Sequence, residues 1–102
     1  MNEWNRIELT SFFDNKASGL IYFYTPMCGT CQVASKMLQV IEQLVEVDLG
    51  KMNLNFYPDL ARQLEVESVP CLIFVEAGKV KETLYAFQSV PFLLEKIKEH
   101  LL

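Results

Sequence analysis

The sequence predicts an α/β fold, a central mixed β-sheet flanked by helices, in the order α-β-α-β-α-β-β-α. Three observations lead there. A short continuous apolar run, Leu20-Ile21-Tyr22-Phe23-Tyr24, has the composition of a strand buried on both faces, and Pro70-Cys71-Leu72-Ile73-Phe74-Val75 and Val80 to Tyr85 read as two further β runs. Between them, apolar residues recur at three- and four-residue steps, as on amphipathic helices. Two β runs flank Glu76-Ala77-Gly78-Lys79, a short glycine-containing loop suited to a hairpin. With 102 residues, 51% of them hydrophobic, the chain can fill one compact core, so residues 1–102 are expected to form one domain.

The first element is a helix over residues 7–16, in which Ile7, Leu9, Phe12 and Phe13 follow helical spacing and Ser18-Gly19 marks the stop. Leu20 to Tyr24 is the first clear strand. After it, Ala34, Met37, Leu38, Ile41, Leu44 and Val45 make the apolar stripe of a helix beginning at or just after Cys28. Lys36, Gln39, Glu42, Gln43 and Glu46 fill much of its other face. A strand over residues 47–54 follows, completing a strand-helix-strand unit with a right-handed crossover. Pro58 suits the first turn of a short helix carrying Leu60, Ala61 and Leu64. The hairpin strands come next, and a final helix opening near Pro91 presents Leu93, Leu94, Ile97 and Leu101 as its buried stripe.

Nine basic and thirteen acidic residues give a net charge of −4, with the Lys and Arg residues scattered, which argues against a nucleic-acid partner. The opening MNEWNRIELT lacks the basic and apolar regions of a secretion signal. No apolar run approaches the ~20 residues that a membrane span needs. These features predict a soluble, cytoplasmic monomer without membrane contact. Three cysteines without a signal peptide fit a reducing compartment, where a close pair is more often catalytic or metal-binding than structural.

That pair lies in YTPMCGTCQ, residues 24–32, at the carboxyl end of a strand, where open α/β sheets carry their sites. The spacing serves half of a zinc site, a structural disulfide or a redox dithiol. A thiol at a helix N-terminus faces free N–H groups and the helix dipole, worth up to ~2 kcal/mol. This is about 1.5 pKa units, enough to bring a thiol from ~8.5 to near 7, where it attacks disulfides well. Cys28 occupies that place. Cys31, one helical turn further in, is close enough to bond to it and to release a trapped mixed disulfide, and Gly29 leaves the first sulfur uncovered on one side. Zinc would need two further ligands, for which only Cys71 and His100 are candidates, and a histidine ending a terminal helix suits a surface cap of the dipole. The redox reading is preferred, no metal is expected, and the other two readings stay open.

A strand, then Cys28-Gly29-Thr30-Cys31 opening a helix, then Ser68-Val69-Pro70 leading into another strand resembles the thioredoxin family, over most of the chain from about Ile7 onward. The resemblance implies a thioredoxin-like fold with its N-terminal strand short or absent. It also implies a protein-disulfide oxidoreductase without cofactor beyond a Cys28/Cys31 disulfide, with Cys28 attacking, Cys31 resolving and Pro70 a cis proline against the pair. The implied partners are client proteins with disulfides, and a disulfide reductase such as thioredoxin reductase as electron donor. Met27, Gly29, Thr30, Val69 and Ala86 are the expected groove for a client chain, with the backbone of Val69 pairing to it as a strand would. Lys51 falls where the family often has a lysine behind the site, and Gly78 resembles its hairpin glycine.

The sequence departs from the family pattern in four places. Met27 replaces the usual Trp, Gly29-Thr30 the usual Gly-Pro, and Lys36 a helix-kinking proline, so the helix is expected to run straighter. Tyr22 stands where the family has a buried aspartate thought to take the resolving thiol's proton. A tyrosine with a pKa of ~10 is a poor base, so release of the mixed disulfide is expected to use water or the Lys51 charge and to be slower near neutral pH. Cys71 reads as a small buried hydrophobe, with a regulatory or glutathionylated thiol as the alternative. Tyr22, Phe23, Phe74 and Phe87 read as core. Two other functions stand beside the oxidoreductase: a glutaredoxin-like thiol transferase, disfavoured by Gly29-Thr30 where that family has Pro-Tyr, and a redox-sensing or binding module using the same groove.

Overall fold

The computed structural model describes residues Met1–Leu102. Its elements in chain order are β1 (Asn2–Glu3), α1 (Arg6–Asp14), β2 (Gly19–Tyr24), α2 (Gly29–Leu44), β3 (Leu49–Asn53), a 3-10 turn (Leu54–Phe56), α3 (Pro58–Gln63), β4 (Cys71–Glu76), β5 (Lys79–Leu84) and α4 (Val90–Leu101). The strands form one sheet in the order β1-β3-β2-β4-β5, parallel from β1 through β2 and antiparallel from β2 to β5. The mixed sheet is the predicted one. No helix is long and apolar enough to cross a membrane.

Continuous apolar runs make the centre of this sheet because β2 and β4 bury both faces. Leu20 through Phe23 and Cys71 through Val75 are fully buried, and a fully buried large apolar side chain contributes about 1.5–3 kcal/mol. Alternation along the strands divides them between two cores. Leu20, Tyr22, Leu72 and Phe74 meet Ala34, Leu38 and Ile41 of α2 and Leu93 and Ile97 of α4. Ile21, Phe23, Cys71, Ile73 and Val75 meet Leu9 and Phe12 of α1 and Leu60 of α3. α2 runs as one uninterrupted 16-residue helix through Lys36.

β1 has only two residues, with Asn2 registered on Gly50 and Glu3 on Lys51. Its anchor is Trp4, whose N–H donates to the Lys51 carbonyl at 2.8 Å and whose indole lies over Gly50. A Cβ at Gly50 would sit 1.9 Å from that ring, so the close approach requires glycine. Asn5 then caps α1 reciprocally with Glu8. Ile7, part of the predicted α1 stripe, is exposed, whereas Leu9 and Phe12 carry the packing. Leu94 and Leu101 of α4 are half-buried at the margin of the first core, and only Leu93 and Ile97 lie fully inside.

Candidate active site

β2 ends at Tyr24, and the chain turns through Thr25–Cys28 into α2, with the Cys28 N–H donating to the Thr25 carbonyl at 3.3 Å. Cys28 is the N-cap: its backbone is extended and its sulfur, in place of the usual oxygen, accepts the Cys31 N–H at 3.1 Å. Cys28 and Cys31 are joined as a disulfide, their Cα atoms 5.1 Å apart. The Thr30 hydroxyl lies 3.3 Å from the Cys28 sulfur. A disulfide sulfur carries no hydrogen, so the hydroxyl is the donor. Cys28 is half-buried, while Cys31 is only 2% exposed. An incoming reactant therefore meets the Cys28 sulfur first.

Tyr22 is fully buried behind the pair. Its hydroxyl donates to the Cys31 carbonyl at 2.8 Å and lies 2.9 Å from Ser35 Oγ. Burial raises its pKa above the ordinary tyrosine value, with the Ser35 hydrogen bond pulling back. Tyr22 thus keeps its proton at neutral pH, consistent with a poor base. Nearby opens a surface cleft of about 430 Å³, bordered by Tyr24, Cys31, Gln32, Ser35 and Lys36.

Lys51 registers against Tyr22 on the neighbouring strand. Its ammonium lies 3.9 Å from Glu3 Oε1 and 5.3 Å from the centre of the Tyr24 ring. Tyr24 also donates its hydroxyl to Glu3 Oε1 at 2.7 Å. Burial first, then the hydrogen bond to Glu3 and its charge, push Tyr24 up to about 12. Glu3, delivered by β1, thus lies beside the Lys51 ammonium in a long, partly exposed pair.

On the other side of the pair, Val69-Pro70 is a cis peptide leading into β4. Pro70, Thr30, Ala34, Met37, Ala86 and Phe87 line a mainly apolar groove of about 360 Å³. Thr30, Pro70 and Ala86 thus meet where the sequence reading puts them. Met27, Gly29 and Val69 do not line this groove: Met27 projects 96% exposed, and Val69 packs toward the second core. A Cβ on Gly29 would meet nothing within 4 Å, so that residue type is not a steric requirement. Met37 and Phe87 belong to the core as read and also wall the groove, a double duty that periodicity does not reveal. Gln88 on its rim is absent from the expected set; it holds a left-handed φ of 59° that no local motif announces.

Cys71 is fully buried, and desolvation pushes its thiol up to about 12 despite a hydrogen bond with Tyr85. His100 is not the expected surface cap. Its Nε2 lies 2.8 Å from Glu82 Oε1 of β5, with its ring 5.5 Å from Phe74. The one grouping of three ligand-type side chains, Glu82, Glu99 and His100, contains no cysteine.

The sequence profile of the thioredoxin family matches residues 5–99. The chain belongs to the thioredoxin family. A thioredoxin-like protein, YusE, of Bacillus subtilis (strain 168) is 49% identical over 81 residues, spanning 78% of this chain and 76% of the relative. A bifunctional thioredoxin reductase/thioredoxin of Mycobacterium leprae (strain TN) is 27% identical over 101 residues, 91% of this chain but 22% of that longer protein. Among solved structures, a mutant thioredoxin from Halobacterium salinarum superposes with a TM-score of 0.86 at 23% identity, covering 98% of this chain and 88% of that one, a likeness of fold. Thioredoxins exchange disulfides with their own cysteine pair. With Cys28 and Cys31 paired at the head of α2, this thioredoxin-family chain is a thiol-disulfide oxidoreductase.

Proposed function

We propose that the protein reduces disulfides of client proteins in the cytoplasm, with Cys28 as attacking and Cys31 as resolving sulfur. The observation that carries this assignment is the asymmetry of the pair: Cys28 is the accessible sulfur and accepts two donors, while Cys31 is 2% exposed behind it. In the reduced protein the Cys28 thiolate attacks one client sulfur, the client disulfide breaks and its other sulfur leaves as a thiolate. Cys31, deprotonated, then attacks Cys28, the mixed disulfide breaks, and the second client thiolate leaves. Two electrons pass to the client, and the Cys28–Cys31 disulfide remains.

The client chain runs through the groove between Pro70, Thr30 and Ala86, pairing with the Val69 backbone as an added strand. Met27, 96% exposed just before Cys28, is available as an apolar contact for the client outside the groove itself. Electrons return from a disulfide reductase, a reading supported by the Mycobacterium leprae relative whose name joins thioredoxin reductase to thioredoxin. The test is insulin reduction with dithiothreitol, followed by turbidity. Wild type is expected to shorten the lag and Cys28→Ser to leave the uncatalysed lag. Equal rates for the two would overturn the proposal and leave a binding module.

A further inference from the structure

We propose that the Tyr22 hydroxyl, together with Ser35, is the positioning device of the resolving cysteine, and that it acts on the second step of the exchange without taking part in proton transfer. The inference rests on the assignment of Cys28 as attacker and Cys31 as resolver.

The hydrogen-bond arithmetic settles what the hydroxyl can do. A tyrosine has one O–H hydrogen, and a backbone carbonyl only accepts. The 2.8 Å contact to the Cys31 carbonyl therefore uses the Tyr22 hydrogen. Ser35, 2.9 Å from the Tyr22 oxygen, must then be the donor in that pair. The chain of donors runs from Ser35 to Tyr22 to the Cys31 carbonyl and stops there. With its hydrogen committed to the backbone and its pKa raised by burial, Tyr22 neither takes a proton from the Cys31 sulfur nor hands one to it.

What it does hold is geometry. Cys31 sits in the first turn of α2, where N–H groups lack intrahelical partners, and its own N–H is met by the Cys28 sulfur at 3.1 Å. Its carbonyl is tied to the centre of the sheet by a ring that cannot swing. The Tyr22 ring stacks on Tyr24 at 5.8 Å and meets Phe87 edge-on at 6.0 Å, and the residue has no exposed surface. When a client separates the two sulfurs, Cys28 is drawn toward the groove, and Cys31 must still present its sulfur in line with the bond to be broken. A displacement of about 1 Å can cost about a hundredfold in rate in such a step. Cys31, Ser35 and Lys36 border an open surface cleft that Tyr22 does not line, so solvent reaches the neighbourhood of Cys31 without passing the tyrosine.

The test separates the two steps with one equivalent of dithiobis-nitrobenzoate per reduced protein in stopped flow. Attack by Cys28 releases the first thionitrobenzoate, and resolution by Cys31 releases the second. Tyr22→Phe keeps the ring and removes only the hydroxyl; the first phase is expected to keep its rate and the second to slow about fivefold, the worth of one hydrogen bond. Ser35→Ala is expected to slow the second phase by about twofold. The pH profile of the second phase should keep its midpoint in both variants. Equal slowing of both phases, an unchanged second phase in Tyr22→Phe, or a moved midpoint would each overturn the inference, the last by making the hydroxyl a proton carrier. Cys31→Ser is the control for the underlying assignment: it must stop after the first phase. If it releases both equivalents at the wild-type rates, the roles of the cysteines fail and not merely that of Tyr22.

Discussion

Cys28 and Cys71 stand at the starts of two elements of one small fold, α2 and β4, and yet occupy opposite chemical worlds. Cys28 caps a 16-residue helix, is half-buried, and has two donors aimed at its sulfur. Cys71 opens a central strand on the far face of the sheet from α2, has no exposed surface, and is pushed up to about 12. A few ångströms of backbone decide whether a thiol meets the free N–H groups of a helix end or the desolvated middle of a sheet. Reactivity belongs to the address rather than to the residue.

The largest effect expected from testing that contrast is on turnover: Cys28→Ser should fall to the uncatalysed rate of insulin reduction, whereas Cys71→Ala should stay within about twofold of wild type. A comparable loss in Cys71→Ala would erase the distinction. Next comes alkylation of the reduced protein by iodoacetamide at neutral pH, read by peptide mass. A thiol at a helix N-terminus carries far more thiolate at neutral pH than one pushed up to about 12, so Cys28 should be labelled at least a thousandfold faster than Cys71. Cys71 should react only when the protein is unfolded.

A smaller change tests what makes the Cys28 address favourable. Thr30→Val removes the hydroxyl donor and keeps the shape; the Cys28 thiol, titrated by its ultraviolet thiolate absorbance, should rise by about half to one pKa unit. Thr30→Ser should leave it near wild type, and identical titrations of all three proteins would discard the donor.

The last effect concerns stability at high pH. The folded Cys71 thiol titrates at about 12 rather than about 9, so the unfolded chain loses this proton first. Its contribution to stability is complete below about 9 and is lost as pH rises toward 12. Urea unfolding should show Cys71→Ala about 1 kcal/mol less stable at neutral pH from the lost packing, with a shallower decline above pH 9 than wild type. Parallel declines would mean that Cys71 is not the titrating group.

The parts of the molecule with strong periodicity were legible in the sequence. β2 and β4 announced themselves as unbroken apolar runs because both their faces are covered, and α2 by its stripe beneath an N-terminal pair of cysteines. β1 was not legible as an element of its own. Asn2 and Glu3 are exposed and carry no apolar pattern, and only their register on β3 and the anchoring of Trp4 over Gly50 make them a strand. With β1 went the knowledge that Glu3 would lie beside Lys51. The groove was half legible: Pro70 stood out by its motif, but Gln88 enters through a left-handed backbone, and Phe87 is a core residue that also walls a surface cleft. Ser35 carried no signal either, since its importance arises only once β2 places Tyr22 beneath it.

The sulfur cap of α2 also bears on how the protein survives its own cycle. Oxidised, the first turn is braced by a covalent link closing a very short loop, worth about 2 kcal/mol against the unfolded chain. Reduced, the link is gone, but a thiolate at the same point places an anion at the positive end of a 16-residue helix, worth up to about 2 kcal/mol. One brace replaces the other as electrons arrive. The two braces are thus of similar size where a free thiol is also ionised, above about pH 8.5, and there the molecule can be charged and discharged without loosening the helix that does the work.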